Sequence, residues 1–112
     1  MNDIKVYSIL VSRIDYADGT GSKIRPAVVV KFNNEVIRTY RLTTKYENKS
    51  DYIISQYLEV IDWAKANLKR RSWIDTIQYY VVEDKGFNIK IIEKLSDRDI
   101  ERLKDFLREK EI

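Results

Sequence analysis

Asp18 to Phe32, reading DGTGSKIRPAVVVKF, is the stretch around which the rest of the chain arranges itself. It joins a loop with two glycines, Gly19 and Gly21, to a short basic element, Lys23 to Arg25, and then to the apolar run Ala27, Val28, Val29 and Val30. A run that is apolar on both faces predicts a central, well-covered strand. Pro26 stands at the junction. Its fixed φ and missing N–H suit the first residue of a strand or a sheet edge, and it biases Arg25 toward an extended backbone. Arg25 therefore falls where a loop becomes a rigid strand, which fixes a cation while leaving room for a ligand.

Outward from this stretch the chain reads as β-rich. Lys5 to Arg13 alternates, with Val6, Ser8, Leu10 and Ser12 on one side and Tyr7, Ile9, Val11 and Arg13 on the other, and predicts a first strand. The loop Ile14 to Ser22 leads to a second strand, Ile24 to Phe32. Asn33-Asn34 suits a tight hairpin into a third strand, Glu35 to about Thr44. In that strand Ile37, Thr39, Arg41 and Thr43 share one face, so Leu42 inward leaves the Thr43 hydroxyl available. Ser50-Asp51 predicts a cap for a short helical turn, Tyr52 to Ser55. Gln56 to Asp62 reads as a strand, Trp63 to Leu68 as a brief turn or helix, Ser72 to Val82 as a long strand and Phe87 to Ile92 as a last short one, after a turn at Glu83 to Gly86. The clearest element is the final helix. Ser96 is its N-cap, Asp97 and Asp99 lie in its first turn, Leu95 and Ile100 form a hydrophobic staple, and Ile100, Leu103, Phe106 and Leu107 make one apolar stripe.

Composition narrows the possibilities. A chain of 112 residues predicts a single domain, 1–112, and 44% apolar with 35% charged residues describes a packed core under a soluble surface. No apolar run reaches the roughly 20 residues of a membrane helix, and Met1 to Lys5 lacks the pattern of a signal peptide, so no membrane association and a cytoplasmic location are expected. The chain has no cysteine and no histidine. That removes disulfides, the usual ligands of zinc, copper and iron, and the serine-histidine and cysteine-histidine hydrolases; an oxygen-ligated magnesium or calcium site stays open, though no EF-hand pattern appears, and the expectation is a protein without metal or cofactor. A formal charge of +3 modestly favours an acidic partner.

Gly21-Ser22-Lys23-Ile24-Arg25-Pro26-Ala27-Val28-Val29-Val30 resembles the G-(S/x)-K-x-R-P-(A/V)-hydrophobic signature of MazF/PemK-type toxins, ribosome-independent endoribonucleases of toxin-antitoxin pairs. Leu42-Thr43-Thr44-Lys45 is similar to the family's third-strand ending, and Leu68 to Asp75 resembles its G-L-x-K-x-S-x-(I/V) element. The resemblance covers most of the chain. It implies a mainly β fold, a small antiparallel SH3-like barrel of roughly five to seven strands with the C-terminal helix packed on it. It also implies a homodimer, single-stranded RNA as substrate, and a cognate acidic antitoxin that neutralises the enzyme.

An RNA phosphodiester is cleaved without metal when its own 2′-hydroxyl attacks phosphorus, provided the enzyme stabilises the extra negative charge and assists proton transfer. Arg25 is the candidate for the charge, since a planar guanidinium matches phosphoryl oxygens; its alternative is an ordinary surface arginine paired with Asp15 or Asp18. Thr43 resembles the family's catalytic threonine, with Thr44 the rival if the register slips by one; either is also a normal β-branched strand end. Ser22, Lys23 and Lys45 are candidate phosphate contacts, or solvated turn residues. Asp75 and Gln78 lie on the strand resembling the family's nucleotide-contacting segment. Some members carry an arginine soon after this point, where this chain has Tyr79 and Tyr80. Trp63, Trp73 and eight tyrosines offer surfaces for base stacking or for filling a core. The alternative function is a noncatalytic barrel that binds nucleic acid or protein.

Overall fold

The computed structural model describes residues 4–15, 22–33, 36–83 and 89–110, and side chains within these except at 12–15, 22–24 and 83. The glycine turns before Ser22, the Asn33-Asn34 hairpin and the Glu83 to Gly86 turn fall wholly or partly outside the described residues.

Among the described residues six strands form one antiparallel sheet: β1 (Ser8–Asp15), β2 (Ser22–Asn33), β3 (Val36–Thr43), β4 (Tyr57–Glu59), β5 (Trp73–Glu83) and β6 (Ile89–Lys94). Their spatial order is β4-β5-β3-β2-β1-β6. The described residues also form two helices, α1 (Asp51–Ser55) and α2 (Asp97–Lys110). The sheet carries a core on each face, and the molecule measures 34 × 32 × 30 Å, the near-equal extents of a rolled, barrel-like sheet. No helix among the described residues is long and apolar enough to cross a membrane.

Alternation along β2 explains the two cores. Val28 packs with Ile9, Tyr40, Leu42 and Ile74 on the face covered by α2, while Ala27 and Val29 pack with Leu10 and Ile37 on the other. All three residues of β2 are buried, as a central strand requires. Pro26, however, is the fifth residue of this strand rather than its first. It pairs with Val11 on β1, but the ladder to β3 begins only at Ala27, so the missing N–H sits where one side of β2 has not yet been joined.

Other boundaries also moved. β1 begins at Ser8 rather than Lys5, because Tyr7 takes φ 74° and Ser8 N–H closes a turn onto the Lys5 carbonyl. β4 is only three residues long, and a turn follows from Ile61 to Asn67, where Asn67 has φ 62°. In β5 the register shifts: Thr39 pairs with Tyr80 but Arg41 with Asp75, so Tyr40 alone faces Thr76 to Tyr79. Such an expansion bends a strand and increases its twist. Tyr40 and Tyr79 stack at 4.9 Å across it, and both the Thr76 N–H and hydroxyl donate to the Gln56 carbonyl.

α1 starts as expected, with the Ser50 hydroxyl accepting from Ile53 N–H. α2 does as well: Asp99 N–H donates to the Ser96 hydroxyl at 3.1 Å, and Leu95 and Ile100 meet in the core. Ile100 and Leu103 are buried, with Phe106 and Leu107 packed beside them. The buried Asp99 carboxylate has a second task. It accepts from Ile61 N–H at 3.0 Å and Asp62 N–H at 2.8 Å, tying the turn after β4 to the start of the helix, and takes Arg102 as counter-ion at 3.0 Å.

Candidate active site

Strand parity assembles the site. On β2, Arg25 lies on the same face as Ala27; Ala27 pairs with Arg41 on β3, and two residues on comes Thr43. Arg41 in turn faces Asp75 on β5, which faces Tyr57 on β4, and Thr43 faces Trp73. Arg25, Arg41, Thr43, Trp73, Asp75 and Tyr57 thus share one side of the sheet, bordering the second core. Arg25 and Thr43 are both half-buried.

The Thr43 hydroxyl accepts from Lys45 N–H at 3.1 Å. That bond fixes the oxygen at the strand end and leaves its own O–H to donate outward, the polarity a phosphoryl oxygen needs. Thr44 and Lys45 are exposed beyond it. They enter an open cleft of 580 Å³ that they share with Tyr46, Glu47, Lys49, Glu59, Arg71 and Trp73. Tyr46 stacks on Trp73 with centroids 4.6 Å apart and planes 18° from parallel, and the Arg71 guanidinium carbon lies 5.3 Å from the indole centroid. Two bonds from Arg71, of 2.6 and 3.1 Å, hold it to one Glu59 oxygen.

Asp75 is a buried residue of β5. It is 4% exposed, and one carboxylate oxygen takes Arg41 Nη2 at 2.7 Å while the other accepts Ile77 N–H at 3.0 Å. Burial works against the Arg41 charge, but the Asp75 hydrogen bond and the nearby charges outweigh it, and the guanidinium pKa is raised. Burial, followed by the Asp75 charge, raises the pKa of the Tyr57 hydroxyl. Lys110 reaches back from α2 to the Thr76 carbonyl and hydroxyl at 2.9 Å, and burial lowers its pKa.

The structure therefore brings Arg25, Thr43, Thr44, Lys45 and Asp75 to one side of the sheet or its adjoining cleft. Gln78 is exposed in the expanded part of β5, where it donates to the Tyr80 hydroxyl at 3.1 Å, apart from the cleft lining. Ser22 and Lys23 open β2, opposite Asp15 and Ile14; their side chains lie outside those described, as do Asp18 and the Asp15 side chain. Arg41 and Tyr46 are among the contributors that were not anticipated. Arg41 had a signal, since it stands two residues before Thr43 and so on the same strand face. Tyr46 had none, because its stack depends on the path of the chain after β3. Among the described residues no group of three or more His, Cys, Asp or Glu is placed to hold a metal ion.

Residues 5–110 match the family model described as PemK-like, MazF-like toxin of type II toxin-antitoxin system. Comparison with curated proteins found no match.

Proposed function

The chain belongs to the PemK-like, MazF-like toxins of type II toxin-antitoxin systems, and from that premise we propose that it is a metal-independent endoribonuclease acting on single-stranded RNA. The observation that carries the reading is the common sheet face of Arg25 and Thr43, with an open, cation-bearing cleft beside them. The substrate's 2′-hydroxyl attacks the adjacent phosphorus, the bond to the 5′-oxygen breaks, and the products are a 2′,3′-cyclic phosphate and a 5′-hydroxyl end. Arg25 stabilises the charge that builds on the phosphoryl oxygens. The Thr43 O–H donates to one of the same oxygens and holds the phosphate in line. Arg41, pinned by Asp75, adds positive potential from the neighbouring strand. Lys23, Ser22, Thr44 and Lys45 contact flanking phosphates, and Asp75 acts through Arg41 rather than on the RNA itself.

The working form is a cytoplasmic homodimer held in check by an acidic antitoxin. Val36, Tyr79 and Val81, exposed on β3 and β5, supply apolar surface for the second copy. The antitoxin tail would lie over Arg25 and Lys45, imitating phosphates with carboxylates. The test is incubation of purified protein with RNA in excess chelator, followed by end-group analysis. Cyclic phosphate ends are expected. Intact RNA across varied sequences would instead favour a noncatalytic binding barrel.

A further inference from the structure

The cleft next to Thr43 has chemistry that phosphate binding does not use. Thr43 and Trp73 face one another across β3 and β5, and directly opposed side chains in an antiparallel pair lie about 5 Å apart at Cβ. A phosphate on the Thr43 hydroxyl therefore delivers its attached nucleotide to the indole. The cleft volume of 580 Å³ is within the range of ligand sites, roughly 300–1,000 Å³. Its aromatic floor is preassembled, since Tyr46 already stacks on Trp73.

Arg71 occupies the place a ligand would take. Its guanidinium lies over the indole, and among the described residues Glu59 alone holds it by hydrogen bonds. Arg71 is 64% exposed and Glu59 33%. An exposed pair of this kind contributes little to stability, whereas stacking of an unpaired base on an aromatic ring contributes more. Exchange of one for the other is thus favourable.

We propose that this cleft is a nucleobase subsite: a base adjoining the scissile phosphate stacks on Trp73 in place of the Arg71 guanidinium. Arg71, once released, turns to a neighbouring phosphate as a counter-charge. Glu59, able only to accept, then faces the N–H edge of the base. The subsite rests on the reading of Arg25 and Thr43 as the cleavage site, to which it adds the substrate's base.

Trp63 and Trp73 are the two tryptophans of the chain, so a Trp63→Phe protein reports Trp73 emission alone. The probe is a pool of 2′-O-methylated decaribonucleotides of randomised sequence, which cannot undergo attack by the 2′-hydroxyl. Saturable quenching of Trp73 is expected. Trp73→Leu, in the otherwise unchanged chain, should weaken binding about tenfold, with Trp73→Phe restoring most of it. Arg71→Ala should keep the quenching but flatten the dependence of log affinity on log salt by about 0.7. Binding that leaves Trp73 emission unchanged would overturn the subsite even if the Leu variant failed to fold. Cleavage of unmodified RNA without quenching would overturn the subsite alone, while quenching without cleavage would uphold it and overturn the catalytic reading.

Discussion

Arg41 and Asp75 face each other across β3 and β5 and close a charged hydrogen bond of 2.7 Å, with the carboxylate side chain only 6% exposed. The pair lies at the last regular rung before β5 expands at Thr76. It therefore fixes where the strands separate, and with that the position of Trp73 and Thr43 two residues away. Among the described residues Arg41 Nε is buried without a hydrogen-bond partner, so the pair carries a desolvation cost that the Asp75 contact and the Tyr80 ring, 5.9 Å from the guanidinium carbon, offset.

Breaking one side of it should be costly. Asp75→Ala leaves a half-buried guanidinium without its anion and should destabilise the fold by about 3 kcal/mol. Arg41→Met with Asp75→Leu, which removes both charges, should recover most of that loss. Urea unfolding of the two single variants and the double variant measures this; a double variant as unstable as the sum of its parts would show that the ion pair is not the coupled unit.

At the proposed cleavage site, Thr43→Val keeps the β-branched shape and removes the donor. It should reduce RNA cleavage about tenfold or more, while Thr44→Val, beyond the strand end, has the smaller effect. Initial rates on one RNA decide between them, and the reverse order would place the catalytic hydroxyl at Thr44.

Stability should fall in acid through Asp62. Hydrogen bonds from Arg98 at 2.6 and 3.1 Å and from Ser96 at 2.6 Å lower its pKa from an ordinary 3.8 to about 2. A depressed carboxylate stabilises the folded state above its unfolded pKa, and the contribution is lost as pH falls through its folded pKa. Melting temperature should therefore drop between about pH 4 and about pH 2, and Asp62→Asn should flatten that limb. Parallel limbs in the two proteins would assign the acid sensitivity elsewhere.

The α2 cap tests a different link. Ser96→Ala removes one N-cap acceptor and should cost about 1 kcal/mol. Asp99→Ala should cost more, about 3 kcal/mol, since it strands the N–H groups of Ile61 and Asp62 and takes from Arg102 its counter-ion. Chemical denaturation of both variants gives the comparison; equal losses would mean that the turn after β4 does not depend on the helix.

An acidic antitoxin peptide and RNA should exclude one another. Titrating the cognate partner into a complex with fluorescent, uncleavable RNA should release the RNA, and added salt should weaken both complexes. RNA that stays bound at saturating partner would place inhibition away from the cleft.

Local signals were legible in the chain and nonlocal ones were not. Ser96, Leu95 and Ile100 fix the start of α2 within a few residues of one another, and the Val28 run fixes a strand covered on both faces. The expansion of β5 depends on Gln56 capturing Thr76 and on Tyr40 stacking with Tyr79, partners far apart in sequence. Tyr7 gave no sign of the positive φ that delays β1. At the site, parity already placed Arg41 beside Thr43, but its pairing with Asp75 required the β3–β5 register, and the Tyr46–Trp73 stack required the path beyond Lys45.

The central claim is that Arg25 stabilises the transition state of RNA cleavage. Single-turnover cleavage of one RNA by the unaltered chain and by Arg25→Ala, each verified as folded by its melting curve, tests it most directly. The account predicts a rate loss of at least about 100-fold in Arg25→Ala, with no recovery in Arg25→Lys, whose point charge lacks the planar fork. A folded Arg25→Ala protein that cuts at the original rate would contradict it.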